Sequence, residues 1–391
     1  LLKTFIDSIS KEKKPMKKVS KLIALLLCAV MTAGCFASCG ETASTTFKIG
    51  GIGPLTGGAA QYGLSVKQGA QLAVDEINAA GGVNGVKLEL NFQDDEHDAQ
   101  KSINAYGIIK DWGAHVIVGT VTSNPCISVV GLSSQDNMFQ ITPSGSAVEC
   151  ISGDNAFRVC FSDPNQGAAS AKYIAENKLA TKVAVIYNSS DAYSSGIYKT
   201  FKTEAATQNL EIVSEQTFTD SNNTDFNTQL QKIKESGADL VFLPIYSEQA
   251  AMILQQASKA GLTTKYFGCD GLDGTIDKLD DPSLAEGVML LTPFAADAQD
   301  EKSKAFTTAY KAAYNAIPDQ FAADGYDAVY TVKAALENAG VSDPSIGYSE
   351  LCDLLKDAMT KITVEGVTGT MTWNAEGEPT KDPKAMVIKD G

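Results

Sequence analysis

Four short turns in this 391-residue chain place hydroxyls, a phenol or a carboxylate directly after an apolar run. After HVIVG comes Thr120-Val121-Thr122-Ser123-Asn124-Pro125, which is rich in hydroxyls and opens a helical pattern. Ser123 offers a hydroxyl there, and its neighbours free N–H groups, at the positive end of a helix dipole; that arrangement suits a carboxylate. After MFQIT comes a second hydroxyl-rich turn, Pro143-Ser144-Gly145-Ser146. Tyr246 follows DLVFLPI, and Asp270-Gly271 follows KYFGC. Hydroxyls and N–H groups on one side, a carboxylate and a phenol on the other, match the two opposite charges of a small zwitterion. Each residue alone is an ordinary cap or turn residue. Their recurrence at four run ends is the signal.

The elements that must carry these turns alternate along the chain. FKIGGIG (47–53) reads as a buried strand, followed by a helix with Val66, Ala70, Ala73, Val74 and Ile77 on one face. KLELNFQDD, a helix over about 99–112, and HVIVG come next. Beyond Ser162-Asp163-Pro164 the pattern repeats: a helix through 168–176, KVAVIY, a helix from about 194, EIVSEQTF, a helix to 236, DLVFLPI, a helix through 250–260, and KYFGC. Strands alternating with such helices mean βαβ units and parallel sheets, with right-handed crossovers covering both faces. The expected fold class is α/β, with two doubly wound Rossmann-like lobes. Ligands of such sheets bind beyond the carboxyl ends of the strands, where the four turns lie. After GVMLLTP the pattern is helical over 302–315 and 321–339, then a strand pair around 369–373 and a last strand at AMVIK. The chain is expected to return to the first lobe after about Pro293.

Enzyme chemistry finds little support. Gly51-Ile52-Gly53 is followed by Pro54-Leu55-Thr56, which breaks the spacing of a dinucleotide loop. The two histidines, His97 and His115, are read as structural or solvated, and no GxSxG, HExxH or phosphate loop is present. Asp94-Asp95-Glu96 and Asp280-Asp281 lack an EF-hand pattern and are read as solvated loops. Neither a metal nor a cofactor is expected.

Composition sets the compartment and excludes one class of partner. Lys17, Lys18 and Lys21, the apolar block LIALLLCAVM (22–31), and Thr32-Ala33-Gly34 before Cys35 form a secretory signal sequence. The block is shorter than the roughly 20 residues a membrane span needs. Cys35 after Thr-Ala-Gly resembles a bacterial lipobox cysteine, with Cys39 the alternative, so a lipid anchor at the membrane is expected. Residues 1–15 lie upstream of a complete signal and read as mis-started sequence. The first 34 residues carry a net charge of +5, so their removal takes the chain from −15 to −20. That charge argues against nucleic acid and favours a soluble monomer. Beyond the signal, Cys126, Cys150, Cys160, Cys269 and Cys352 are scattered, with no metal-ligand spacing. They read as buried thiols, with a disulfide involving Cys126 or Cys150 left open.

Taken in order, GPLTGGAAQYG, GAQLAVDEINAAGGVNG, QDDEHDAQ, VIVGTVTS, FQITPSGS, Asp191-Ala192-Tyr193, PIYSEQAAMILQQASKAGL, GCDGL, FAADGYDAVY and GTMTWNAEGE resemble the branched-chain amino acid (Leu/Ile/Val) binding proteins of ATP-driven importers. The resemblance runs over 47–389 and implies a type I periplasmic-binding-protein fold with a three-segment hinge. It implies lobe one at 46–164 and 294–384, lobe two at 165–293 and 385–391, after a signal (16–34) and a lipidated linker (35–45). Ser123 would hold the ligand carboxylate, together with the Thr122 and Gly145 neighbourhood. The Ser144 carbonyl would accept from the ammonium, and Ser146 would contact both ends. From lobe two, Tyr246 would touch the carboxylate and Asp270 the ammonium. Tyr62, Val121, Tyr193 and Phe321 would line the side-chain pocket. Asp270 is one methylene shorter than the family's usual Glu. His97 and Thr122 stand where some members have a disulfide. Implied partners are an apolar α-amino acid and the permease subunits of an ABC importer, outside the cytoplasm. Two alternatives remain: a ligand-sensing receptor component, for which the chain shows no output domain, and a carrier of another amino acid, an amide, urea or an aromatic acid.

Overall fold

The computed structural model describes residues 45–390. The signal sequence, Cys35 and Cys39 lie outside the described residues. β1 (Thr46–Gly53), α1 (Ala60–Ala79), β2 (Lys87–Asp94), α2 (Ala99–Asp111), β3 (Val116–Gly119), α3 (Ser123–Asp136), β4 (Gln140–Thr142) and β5 (Ala156–Arg158) build the first sheet and its helices. Its strand order is β2-β1-β3-β4-β5, all parallel. β3 is buried throughout and β1 from Ile49 to Gly53, because helices cover both faces of the sheet.

The second sheet follows from α4 (Asp163–Glu176), β6 (Lys182–Asn188), α5 (Ala192–Thr207), β7 (Glu211–Phe218), α6 (Asn227–Ser236), β8 (Leu240–Leu243), α7 (Ser247–Lys259), β9 (Lys265–Gly268) and β10 (Met289–Thr292). Then come α8 (Glu301–Tyr314), α9 (Gln320–Asn338), α10 (Tyr348–Met359), the hairpin β11 (Val364–Glu365) and β12 (Thr370–Met371), and β13 (Lys384–Val387). β13 joins the second sheet antiparallel to β10, giving the order β13-β10-β9-β8-β6-β7. The first five parallel strands of each sheet therefore repeat one winding, with the order reversing at β1/β3 and at β6/β8. Those are the positions where a ligand crevice opens in such folds.

The chain crosses between the sheets after β5, after β10 and before β13, so the two lobes share three crossings. α9 packs along α1, and both it and α10 share a core with β1, β3 and β4. That crossing depends on two glycines. A Cβ at Gly69 would meet the Ala322 carbonyl at 1.9 Å, and one at Gly325 the Val66 carbonyl at 2.4 Å. Trp373 is buried and its indole N–H donates to the Arg158 carbonyl at 2.7 Å, so the late hairpin region is pinned to the first crossing.

Three elements differ from expectation. α4 starts at Asp163 rather than near Ala168, because Pro164 fits a first helical turn, where its missing N–H costs nothing. The strand pair is Val364–Glu365 with Thr370–Met371, slightly earlier than expected. α10, whose Leu351, Cys352, Leu355, Ala358 and Met359 are buried, is not among the expected elements.

Candidate functional site

The two hydroxyl turns of lobe one form a single knot. Thr142 Oγ donates to the Thr120 carbonyl at 2.6 Å and accepts from the Gly145 N–H at 2.7 Å. Ser144 Oγ donates to the Val121 carbonyl at 2.7 Å, and the Ala147 N–H donates to Ser123 Oγ at 3.2 Å. Val121, Thr122, Ser123, Ser144, Gly145 and Ser146 are thus held together and buried. Ser146 Oγ is buried and faces the Asp163 carboxyl. Beneath the second turn the buried Arg158 guanidinium donates to the carbonyls of Gly145 (3.4 Å), Ser146 (2.5 Å) and Ala147 (3.1 Å), and its Nε lies 3.0 Å from Glu378. Sequence reasoning does not single out Arg158; a basic residue ending a short strand carries no mark of its role.

His97 Nδ1 and Thr122 Oγ are hydrogen-bonded at 2.8 Å. The contact region is therefore tied, though by a weaker link than a covalent one. The neighbouring Asp95 corrects the solvated-loop reading. It is fully buried, and burial raises its carboxyl to about 7. One of its oxygens accepts from the His97 N–H at 2.9 Å, which helps to hold the histidine in place.

Lobe two presents Asp270 at the end of β9. Burial raises its carboxyl to about 6, while the Tyr193 hydroxyl (2.7 Å) and the Gly271 N–H (2.8 Å) donate to it. The Gly271 N–H also donates to Tyr193 Oη at 2.9 Å. A Cβ on Gly271 would sit 2.6 Å from that oxygen, so only glycine fits this knot. Tyr246 stacks on Tyr193 with centroids 4.8 Å apart and meets the His97 ring edge-on at 5.4 Å.

The lobes are closed on each other. The Tyr62 hydroxyl donates to Ser247 Oγ or the Gly271 carbonyl, at 2.9 and 2.8 Å, and accepts from the Ser247 N–H at 2.8 Å. Gln61 Nε2 reaches the Asp273 carbonyl at 2.9 Å. Gln320 donates through its side chain to the Asp270 carbonyl and through its N–H to Asp273. The Tyr62 ring touches Phe321 (4.6 Å) and Tyr246 (5.5 Å), and Val121 joins the same apolar group. Every site residue expected from the sequence therefore lies at or beside one interface between the lobes.

Sequence reasoning misses three further polar groups at this interface. Asp163 and Asp191 are buried, and one oxygen of Asp191 has no hydrogen-bond partner among the described residues; Gln166 is buried against Asp270, whose N–H donates to its Oε1 at 3.1 Å. Burial drives the Asp163 carboxyl well up, helped by Asp270, and raises that of Asp191 to about 7. A buried polar atom without a partner costs about 1–3 kcal/mol, so such a cluster favours a polar ligand. No group of three or more His, Cys, Asp or Glu among the described residues is placed to hold a metal ion.

Comparison with known proteins agrees with this architecture. The profile of a family described as periplasmic binding protein matches residues 46–390. A leucine-, isoleucine-, valine-, threonine- and alanine-binding protein of Pseudomonas aeruginosa is 30% identical over 365 residues, covering 93% of this chain and 94% of its own. The branched-chain amino acid transporter substrate-binding protein LivJ of Streptococcus pneumoniae, solved with isoleucine, superposes with a TM-score of 0.80 at 30% identity, over 88% of this chain and 96% of its own. The leucine-binding protein LivK of Thermotoga maritima superposes with a TM-score of 0.79 at 25% identity, over 88% and 96%. With two parallel-sheet lobes closed over one polar interface, the chain belongs to the periplasmic binding protein family.

Proposed function

We propose that this protein captures an apolar, branched-chain α-amino acid between its lobes outside the cytoplasm and delivers it to the permease subunits of an ABC importer. The observation that carries the reading is the set of buried polar groups meeting at the closed interface: Ser123 and Ser146 from one lobe, Asp270 from the other, and Asp163 beside Ser146 at the first crossing. In this reading Ser123, Ser146 and Tyr246 take the carboxylate. The Ser144 carbonyl and Asp270 take the ammonium. Tyr62, Val121, Tyr193 and Phe321 surround the side chain, with Thr122 and Gly145 shaping the turns. The lobes comprise 46–164 with 294–384, and 165–293 with 385–391. Ligand binding shifts the open–closed equilibrium because only the closed form supplies both sets of partners.

A thermal-shift screen of the twenty amino acids tests this. A ligand at 100 times its Kd adds about 2.7 kcal/mol, which in a chain of this size is a rise of about 3–5 °C in Tm. Leu, Ile or Val is expected to give that rise. The four rings of Tyr62, Tyr193, Tyr246 and Phe321 favour a second reading, an aromatic acid. A shift with benzoate and none with any amino acid would replace the first reading with the second.

The same proposal includes anchoring through a lipid on Cys35, with Cys39 as alternative. No helix among the described residues is long and apolar enough to cross a membrane. Expressed in a bacterial host, the full chain is expected to incorporate labelled palmitate and fractionate with membranes, and Cys35→Ala to lose both. Labelling that persists in Cys35→Ala and vanishes in Cys39→Ala moves the anchor to Cys39.

A further inference from the structure

Five cysteines among the described residues are free and buried. Two of them meet. Cys126 lies in the first turn of α3, three residues after Ser123, and Cys150 in the short turn 148–151 that follows the second hydroxyl turn. Cys126 Sγ is 3.9 Å from the Cys150 carbonyl, and Cys150 Sγ is 3.7 Å from the Ser123 carbonyl. With Ala147 they form a separate small cluster between the two turns. The neighbouring Cys150 thiol pulls Cys126 below the usual thiol range, while burial pushes Cys150 up. Gln140 Nε2 donates to Cys126 Sγ at 3.5 Å, and the Arg158 charge lies nearby.

We propose that Cys126 and Cys150 are a dithiol–disulfide pair, a modification site that staples the two hydroxyl turns of lobe one when oxidised. The oxidant is a donor disulfide of the glutathione or oxidoreductase class. The Cys126 thiolate attacks one donor sulfur, forming a mixed disulfide and releasing the other donor sulfur as a thiol. Cys150 then loses its proton to solvent and attacks Cys126 Sγ, expelling the second donor thiol. Two protein thiols are oxidised and one donor disulfide is reduced to two thiols. Both cysteines are buried in the closed fold, so exchange takes place while the chain folds or opens. Exported proteins meet an environment that permits this. The new bond closes a short loop and fixes α3 to the second turn, on the side where Ser123 and Ser146 stand.

The test is refolding of the full chain in a glutathione redox buffer, followed by alkylation and non-reducing peptide mapping. The expected product is a Cys126–Cys150 cross-linked peptide with the mass of two hydrogens lost. Its Tm should exceed that of the reduced protein by about 3–6 °C. Cys150→Ser should abolish both the cross-link and the rise, and Cys352→Ser should leave both unchanged. Complete alkylation of Cys126 and Cys150 after refolding, pairing of either with Cys160 or Cys269, or a cross-link without the rise would each overturn the proposal. None of these readouts involves a ligand, so the outcome is separate from that of the amino-acid screen.

Discussion

Asp270→Ala is expected to bind the amino acid preferred by the unmodified protein at least 100-fold more weakly by titration calorimetry. Removing one partner of a buried, hydrogen-bonded charge pair costs about 3–5 kcal/mol, or about 100- to 1,000-fold and more. The carboxyl is aimed by the Tyr193 hydroxyl and the Gly271 N–H, and its backbone is held by Gln166 and Gln320. The loss should therefore be specific to the ammonium and not a collapse of the site. Unchanged affinity for every amino acid that the unmodified protein binds would remove Asp270 from the mechanism.

The same residue explains why closure should wait for ligand. Burial raises Asp270 to about 6 in the closed form, so at neutral pH closing over an ionised Asp270 without a cation costs about 3 kcal/mol. Asp191 and Asp319, each raised to about 7 by burial, add to that penalty. The ammonium of a ligand supplies the missing positive charge. The sign follows from the direction of the shifts. A raised carboxyl contributes most below its unfolded value near 4, and that contribution is lost as pH climbs through about 6–7. Without ligand, the protein should thus become more compact in small-angle scattering as pH falls from 8 to about 5. Asp270→Asn, neutral and nearly isosteric, should be the more compact form already at pH 8 while binding amino acids poorly. Equal dimensions for the two proteins at pH 8 would disconnect the carboxylate from closure.

The lobes were legible in the sequence because parallel strands covered on both faces are nearly continuous apolar runs. FKIGGIG and HVIVG, each followed by a helical period, leave few other readings. The hydroxyl turns were legible for the same reason, since they begin where the strands stop. Asp163, Gln166, Gln61 and Gln320 were not. A single polar residue on a helix looks solvated, and these become interfacial only because two lobes meet, a relation between segments as much as 212 residues apart. Asp163-Pro164 looked like a break when it is a helix start, which hid an acid pointing into the site. His97 was read as solvated or structural, and its hydrogen bond to Thr122 needed the fold to bring β2's loop against α3.

Lys381→Met should be the most destabilising single change at the crossings, lowering Tm by about 4–7 °C. Lys381 lies in the third crossing with its side chain only 3% exposed. It donates to the Val159 carbonyl in the first crossing (3.0 Å), to Asp324 on α9 (3.2 Å) and to Thr368 (2.7 Å). Asn165 Nδ2 holds its carbonyl at 3.2 Å. One ammonium thus joins two of the three crossings to the helix packed on α1. Its loss leaves Asp324 and Asp327 buried without their cation, at a cost of about 3–5 kcal/mol. Burial already raises Asp324 to about 7 against the pull of Lys381. The mutant's deficit should therefore be larger at pH 8, where Asp324 must ionise or take up a proton, than at pH 5, where it is protonated. Asp324→Asn combined with Lys381→Met should recover much of the lost Tm, because it removes the stranded charge. A deficit that is the same at both pH values and is not relieved in the double variant would show that the lysine acts through packing rather than through its charge.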